Sequence, residues 1–320
     1  MRCLEKAELH AHLNGCIPPS KTKELVKKYG ITLPRGFDLD KDLQIKEPVS
    51  SLLEYFRPWF IFKLLPLGRD CLREMVDAAI ESLAMDNVKY AELRKNPFNI
   101  CDLNKTSLEV TLEWLIDALC VCSQKYGIDA RLIVSLSRYH NDLEKARELI
   151  CAIKNVNYRS RIVGLDLSGD EDKAINCAMS KFYRAAKEDL GLGITIHAGE
   201  TGNVNNLCWA ITECHADRIG HGLAAAESTE LLDKIQSSSV CLEVCLSSSF
   251  LTGIVKRESP HPVQTFIDLG IPFVLCSDNP QINNACLSDE YELFLTMTSR
   301  DDILEEMYGR QMSFSFKDRG

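Results

Sequence analysis

The chain has 320 residues, 45% hydrophobic and 26% charged, a length and balance that one α/β barrel routinely occupies. Its formal net charge of -9, with no basic run, excludes an electrostatic footprint for nucleic acid or an anionic membrane, so the expected partner is a small molecule. No apolar stretch reaches membrane-spanning length, no apolar core precedes the first charges, and the 14 cysteines form no CxxC pair; a soluble, cytoplasmic chain with reduced thiols is expected.

The first β-rich run is AELHAHL, Ala7 to Leu13. Strand side chains alternate faces, so His10 and His12 project to the same side. An insertion from Ile17 to Pro66 follows, carrying the aromatic segment EYFRPWFIF. Burial in a core is the expectation for Tyr55, Phe56, Trp59, Phe60 and Phe62, and a lid over a barrel mouth is the alternative. Helical periodicity then covers Asp70 to Met85, Ser107 to Lys125, Asp142 to Lys154 and Lys173 to Leu190. Between these helices lie the β-rich runs Tyr90 to Arg94, Ala130 to Ser137 and Ile162 to Gly169. In LDLSGDED, Asp166 and Asp170 could cap the next helix, and capping is the reading for Asp170 and Glu171.

The apolar run GITIHAGE, Gly193 to Glu200, delivers His197 and Glu200 at its C-terminal end. After a helix from Asn205 to Cys214, DRIGHG supplies His221. A helix from Ser228 to Ser237, the β-rich run Val240 to Ser249 and a helix from Pro262 to Leu269 lead to PFVLCSDNP, Pro272 to Pro280, with Asp278 and Asn279. The segment Asp301 to Gly320 reads as a short helix and a polar tail. Eight alternations with no glycine-rich nucleotide turn predict one domain, residues 1–320, folded as a (β/α)₈ barrel with the insertion between strands 1 and 2 over its mouth.

A lone His-x-His pair is more often structural than metal-binding, yet two neutral imidazoles on one face make a metal pincer. Here His197, His221 and Asp278 each end a separate predicted strand, where a parallel barrel keeps its chemistry. Glu200 could be a solvated loop carboxylate and Asp278 a turn residue before Pro280; the functional reading is preferred for both.

Taken in order, ELHAHLNG, YAELR, GLDLSGDE, ITIHAGET, DRIGHG, LEVCLSSSFLTG and LCSDNP resemble the adenosine deaminase family of metal-dependent amidohydrolases, from Ala7 to about Phe316. The resemblance implies one zinc ion per chain, held by His10, His12, His197 and Asp278, and a water acidified by the metal. It further implies that His221 and Asp278 orient that water and take its proton, that Glu200 protonates purine N1, and that the Gly169 N–H donates to N3. The implied reaction is hydrolytic deamination of adenosine or 2′-deoxyadenosine to the inosine product and ammonia, in purine metabolism. The intact ligand set and Glu200 argue against a binding protein that has lost this chemistry.

Two positions depart from the family pattern. Asn279 replaces an Asp that faces N7, and an amide donates as it stands. Asn14 replaces an Asp near the ribose 5′-hydroxyl; a neutral amide does not repel a 5′-phosphate as a carboxylate would. N6-methyl-AMP is therefore the alternative substrate, with Lys21 and Lys23 in reach by sequence and no arginine cluster near Asn14; adenine is a third. HAGE and the EYFRPWF segment favour the adenosine branch, and no specific protein partner is inferred.

Overall fold

The computed structural model describes residues 1–140 and 142–318. Eight strands run parallel: β1 (Lys6–His12), β2 (Val88–Lys95), β3 (Asp129–Ser137), β4 (Ile162–Ser168), β5 (Gly193–Ala198), β6 (Arg218–His221), β7 (Cys241–Val244) and β8 (Phe273–Leu275). Each pairs with its sequence neighbours. The two edges meet at a parallel bridge between Ala11 and Asp278, where the His12 N–H donates to the Asp278 carbonyl and the Asp278 N–H to the His10 carbonyl, both at 2.8 Å. Three predicted site residues thus make the closing bonds, which fixes their side chains relative to one another.

Period-two alternation builds the wall. In β5, Ile194, Ile196 and Ala198 are fully buried in the hydrophobic layer under the helices, while Thr195 and His197 carry polar groups inward. The connecting helices start where the sequence places caps. Ser107, Asp142 and Ser228 accept from the N–H of Val110, Lys145 and Leu231 at 3.4, 2.8 and 3.3 Å. Among the described residues no helix is long and apolar enough to cross a membrane, and the fourteen cysteines stand unpaired.

Three local expectations are corrected. The helix expected from Lys173 begins only at Met179, so Asp170 and Glu171 lie in a turn and do not cap it. The run after Val244 is a short helix, Leu246–Leu251, and not the continuation of β7. The C-terminal segment is a full helix, Asp301–Phe314, after which Phe316 is 1% exposed and plugs the N-terminal end of the barrel. Gly193 has no Cβ where one would lie 2.3 Å from the Phe316 ring, and the Arg218 guanidinium stacks on that ring at 3.7 Å. The last two residues of the expected tail, Arg319 and Gly320, lie outside the described residues.

The insertion between β1 and β2 forms a helix, Pro19–Lys28, and two single-turn helices, Leu52–Tyr55 and Trp59–Phe62. It is pinned across the mouth by backbone bonds of 2.9 Å, from the Ile45 N–H to the Ile282 carbonyl and from the Val49 N–H to the Leu251 carbonyl.

Candidate active site

At the C-terminal ends of the strands the described residues enclose a cavity of about 490 Å³. His12, Asn14, Gly169, His197, Glu200, His221, Asp278 and Asn279 all line it, and His10 lies fully buried behind them. Its outer wall is aromatic: Tyr55, Phe56, Trp59, Phe60 and Phe62 face the cavity, the rings of Tyr55, Phe56 and Trp59 pack on one another, and Phe60 is 41% exposed at the rim. The core expectation holds for Tyr55 and Phe62, which belong to the hydrophobic core, and for Phe56 and Trp59, which pack against it; the same rings also wall the cavity, and Phe60 alone of the five is exposed.

His10 and Asp278 contribute to one group of mutually close ligand atoms with His221, and His10 to another with His12 and His197, all within 4.8 Å. His12 Nε2 stands 3.2 Å from His197 Nε2 and 3.4 Å from Asp278 Oδ1, and His10 Nε2 stands 3.6 Å from the same oxygen. Tetrahedral ligation at roughly 2.0–2.2 Å spaces ligand atoms about 3.3–3.6 Å apart, which is the spacing observed. Two ring nitrogens are further prepared as lone pairs. His10 Nδ1 donates to Glu243 Oε2 at 2.7 Å, leaving Nε2 buried with no hydrogen-bond partner; His197 Nδ1 donates to Asp166 Oδ1 at 2.8 Å. A carboxylate behind the ring fixes the tautomer and the ring orientation, and the set has the spacing and lone pairs with which a metal ion could be held.

Backbone geometry helps converge the group. His221 and Asp278 adopt left-handed φ values of 65° and 57°, uncommon for residues with a Cβ and typical of functional sites. Gly220 admits the His10 ring, because a Cβ there would lie 2.8 Å from His10 Cε1. Ser248 Oγ donates to Asp278 Oδ2 at 2.7 Å.

Burial sets the protonation states. It pushes His12 down to about 3 and His221 down to about 4, so both rings are neutral near pH 7. Glu200 is pushed up to about 8, first by burial and then by the charge on Asp278, and its Oε1 lies 3.8 Å from His221 Nε2. Burial alone would raise Asp278, but in the acid range where it titrates the protonated rings of His10, His12 and His221 outweigh burial and hold it below the usual carboxylate range. The site thus pairs an ionised carboxylate with a protonated one.

All nine sequence-predicted residues gather here. Gly169, at the end of β4, has a φ of 99° that L side chains rarely adopt, while space for a Cβ exists, Ser137 Oγ being 3.5 Å away. Asn279 Nδ2 donates to Tyr55 Oη at 3.2 Å, the Tyr55 hydroxyl donates in turn to Asn283 Oδ1 at 2.7 Å, and Asn279 Oδ1 is buried with no partner among the described residues. Lys21 is held by Glu24 and Glu74, and Lys23 by Asp40, so neither extends the site.

Sequence reasoning missed Glu243 and left Asp166 and Glu171 as cap candidates or caps. Asp166 holds His197, and Glu171 accepts from the Gly199 and Thr201 N–H groups at 2.6 and 2.7 Å, shaping the HAGE turn. Their signal is a carboxylate in an otherwise apolar strand run or its edge, which burial tolerates only with partners. Lys95, at the end of β2, was also missed: its amine donates to Asn14 Oδ1 at 2.8 Å inside the cavity.

A parallel barrel whose strand ends assemble four imidazoles and two carboxylates at one cavity defines an enzyme of the amidohydrolase fold. The chain belongs to the adenosine deaminase family, whose model matches residues 5–311, and is thereby a hydrolytic deaminase acting on C–N bonds. It is 33% identical to an adenosine deaminase of Clostridium acetobutylicum over 293 residues, 90% of this chain and 85% of the relative. It is 32% identical to an adenosine deaminase of Edwardsiella ictaluri, covering 96% of this chain and 92% of the relative. Among solved structures, an Arabidopsis N6-mAMP deaminase superposes with a TM-score of 0.82 at 25% identity, covering 98% of this chain and 94% of that one. Arabidopsis ADAL complexed with GMP superposes with a TM-score of 0.83 at 26% identity, over 98% and 93% of the two chains.

Proposed function

We propose that this chain is a zinc-dependent enzyme that hydrolyses the 6-amino group from adenosine or 2′-deoxyadenosine, releasing ammonia. The observation that carries the reading is the pairing of Glu200, a buried carboxyl pushed up to about 8, with neutral imidazoles at the mouth of a deaminase-family barrel. His10, His12, His197 and Asp278 would hold the ion, supported by the unpartnered His10 Nε2 and the carboxylates behind His10 and His197. Bound there, zinc makes a water acidic enough to react near neutral pH.

The side chains supply the rest. His221, neutral and buried, accepts the proton of the attacking water. Glu200, still protonated at neutral pH, donates to ring N1 as C6 is attacked, which makes the aromatic ring electrophilic. As the C6–N bond breaks the departing amino group takes the proton held by His221 and leaves as ammonia, the C6 hydroxyl gives its proton back to Glu200, and an oxo group has replaced the amine at C6. Gly169 and Asn279 orient the ring, and the aromatic wall keeps bulk water from the reacting edge.

Loss of adenine absorbance on mixing zinc-loaded protein with adenosine tests the proposal. Glu200→Gln is expected to keep its zinc and its unfolding midpoint and to lose roughly 10²- to 10⁴-fold in turnover, because only acid catalysis is removed. Turnover at the parent rate would refute it.

A further inference from the structure

Lys95 is a buried cation with no counterion among the described residues. It is 6% exposed, its ammonium donates to the neutral Asn14 Oδ1, and burial is the sole influence on its pKa, which falls to about 8; no carboxylate offsets the burial. Taking an ammonium out of water costs several kcal/mol unless a partner charge repays it. The adjacent Arg94 is different, since Glu243, Thr195 and the Leu9 carbonyl engage it. The Lys95 and Asn14 side chains both line the cavity. An ammonium offers only donors, and Asn14, whose Oδ1 already accepts from Lys95, adds the two donors of its NH₂. Chemically, this corner asks for an acceptor that is also an anion.

On the reading that the purine edge is held at Glu200, His221 and Asn279, the sugar end of the substrate is what reaches the ends of β1 and β2. We propose that Lys95 and Asn14 bind an anionic group carried on the 5′ carbon of the ribose, so that the preferred substrate is an adenosine bearing a 5′-phosphate or 5′-carboxylate. The inference rests on the deaminase reading for the base and adds the substrate's charge. Arabidopsis ADAL, complexed with IMP and with GMP, has a barrel of the same fold that admits nucleoside monophosphates. An aspartate at position 14 would give Lys95 an internal counterion and remove the demand; Asn14 leaves the charge for the ligand.

The test compares kcat/KM for adenosine, AMP and adenosine 5′-carboxylate in the zinc-loaded parent, Lys95→Met, Lys95→Arg and Asn14→Asp. The parent is expected to favour at least one anion over adenosine by roughly 10- to 100-fold, the worth of one charge-assisted hydrogen bond. Whichever of AMP and the carboxylate is better identifies the group. Lys95→Met and Asn14→Asp should bring that ratio close to one, and Lys95→Arg should retain most of it. A parent ratio at or below one, or a ratio unchanged in both Lys95→Met and Asn14→Asp, overturns the proposal. Calorimetric affinities for IMP and inosine separate the two readings. Tighter, Lys95-dependent binding of IMP with no deamination of any substrate upholds the anion corner and sinks the deaminase reading. Brisk adenosine deamination with equal IMP and inosine affinities does the reverse.

Discussion

Glu243→Gln keeps the shape of the side chain under the metal-ligand group and removes its charge. Glu243 is fully buried and accepts from His10 Nδ1 at 2.7 Å, Arg94 Nη2 at 2.5 Å, Arg218 Nε at 2.7 Å and Thr195 Oγ1 at 3.0 Å. Whichever end of the glutamine carries the NH₂, it turns a donor toward donors: His10 and Arg94 on one side, Arg218 and Thr195 on the other. Two guanidiniums then share what remains, Glu92 on Arg218 at 2.5 Å and Asp166 at 3.7 Å from Arg94 Nε. Removing one partner of a buried ionic group costs about 3–5 kcal/mol, and each kcal/mol lowers the unfolding midpoint by roughly 2–4 °C in a domain of 150–250 residues, less in a longer one. A fall of about 6–12 °C is expected for the metal-free protein. Freed of its acceptor, the His10 ring no longer holds Nε2 as a fixed lone pair, and zinc affinity should drop by about 10- to 100-fold. Thermal unfolding followed by circular dichroism with chelator present, together with a zinc titration, reads both effects. A metal-free midpoint within about 2 °C of the parent, or an unchanged zinc affinity, would refute the reasoning.

Two further outcomes are expected. His12→Ala should lose the metal, since it takes one ring from the close trio of His10, His12 and His197; full zinc occupancy by elemental analysis would contradict the assignment. His261 bears on acid stability: it is buried, its Nδ1 accepts from the Val263 N–H at 3.0 Å, its Nε2 lies 2.9 Å from Ser249 Oγ, and burial pushes it down to about 4. The unfolded chain takes up that proton near pH 6.5 and the folded one does not, so stability is lost as pH falls from about 6.5 to about 4, by up to about 3 kcal/mol. His261→Gln should flatten this part of the curve in denaturant titrations at stepped pH; identical slopes would remove His261 from the explanation.

The sequence alone determined what depends on short-range geometry. Strand alternation set His10 and His12 on one face, helical periodicity marked the helices, and Ser107, Asp142 and Ser228 announced their caps. The placement of His197, His221 and Asp278 at strand ends followed from strands bounded by glycines and turns, because each needs only dihedral and face preferences within about ten residues. Local signals misled where a distant partner won. Glu171 looked like a cap for the helix ahead of it and instead bonds the HAGE turn from β5. The polar tail hid Phe316, which is drawn in by a barrel end left open at Gly193. Only the closed barrel decided which buried polar groups meet: Glu243 with His10 across 233 residues, Asp166 with His197 across 31, and Lys95 with Asn14 across 81. A strand pattern states which face a side chain takes. Which partner it finds there is fixed by register and closure, properties of all eight strands together.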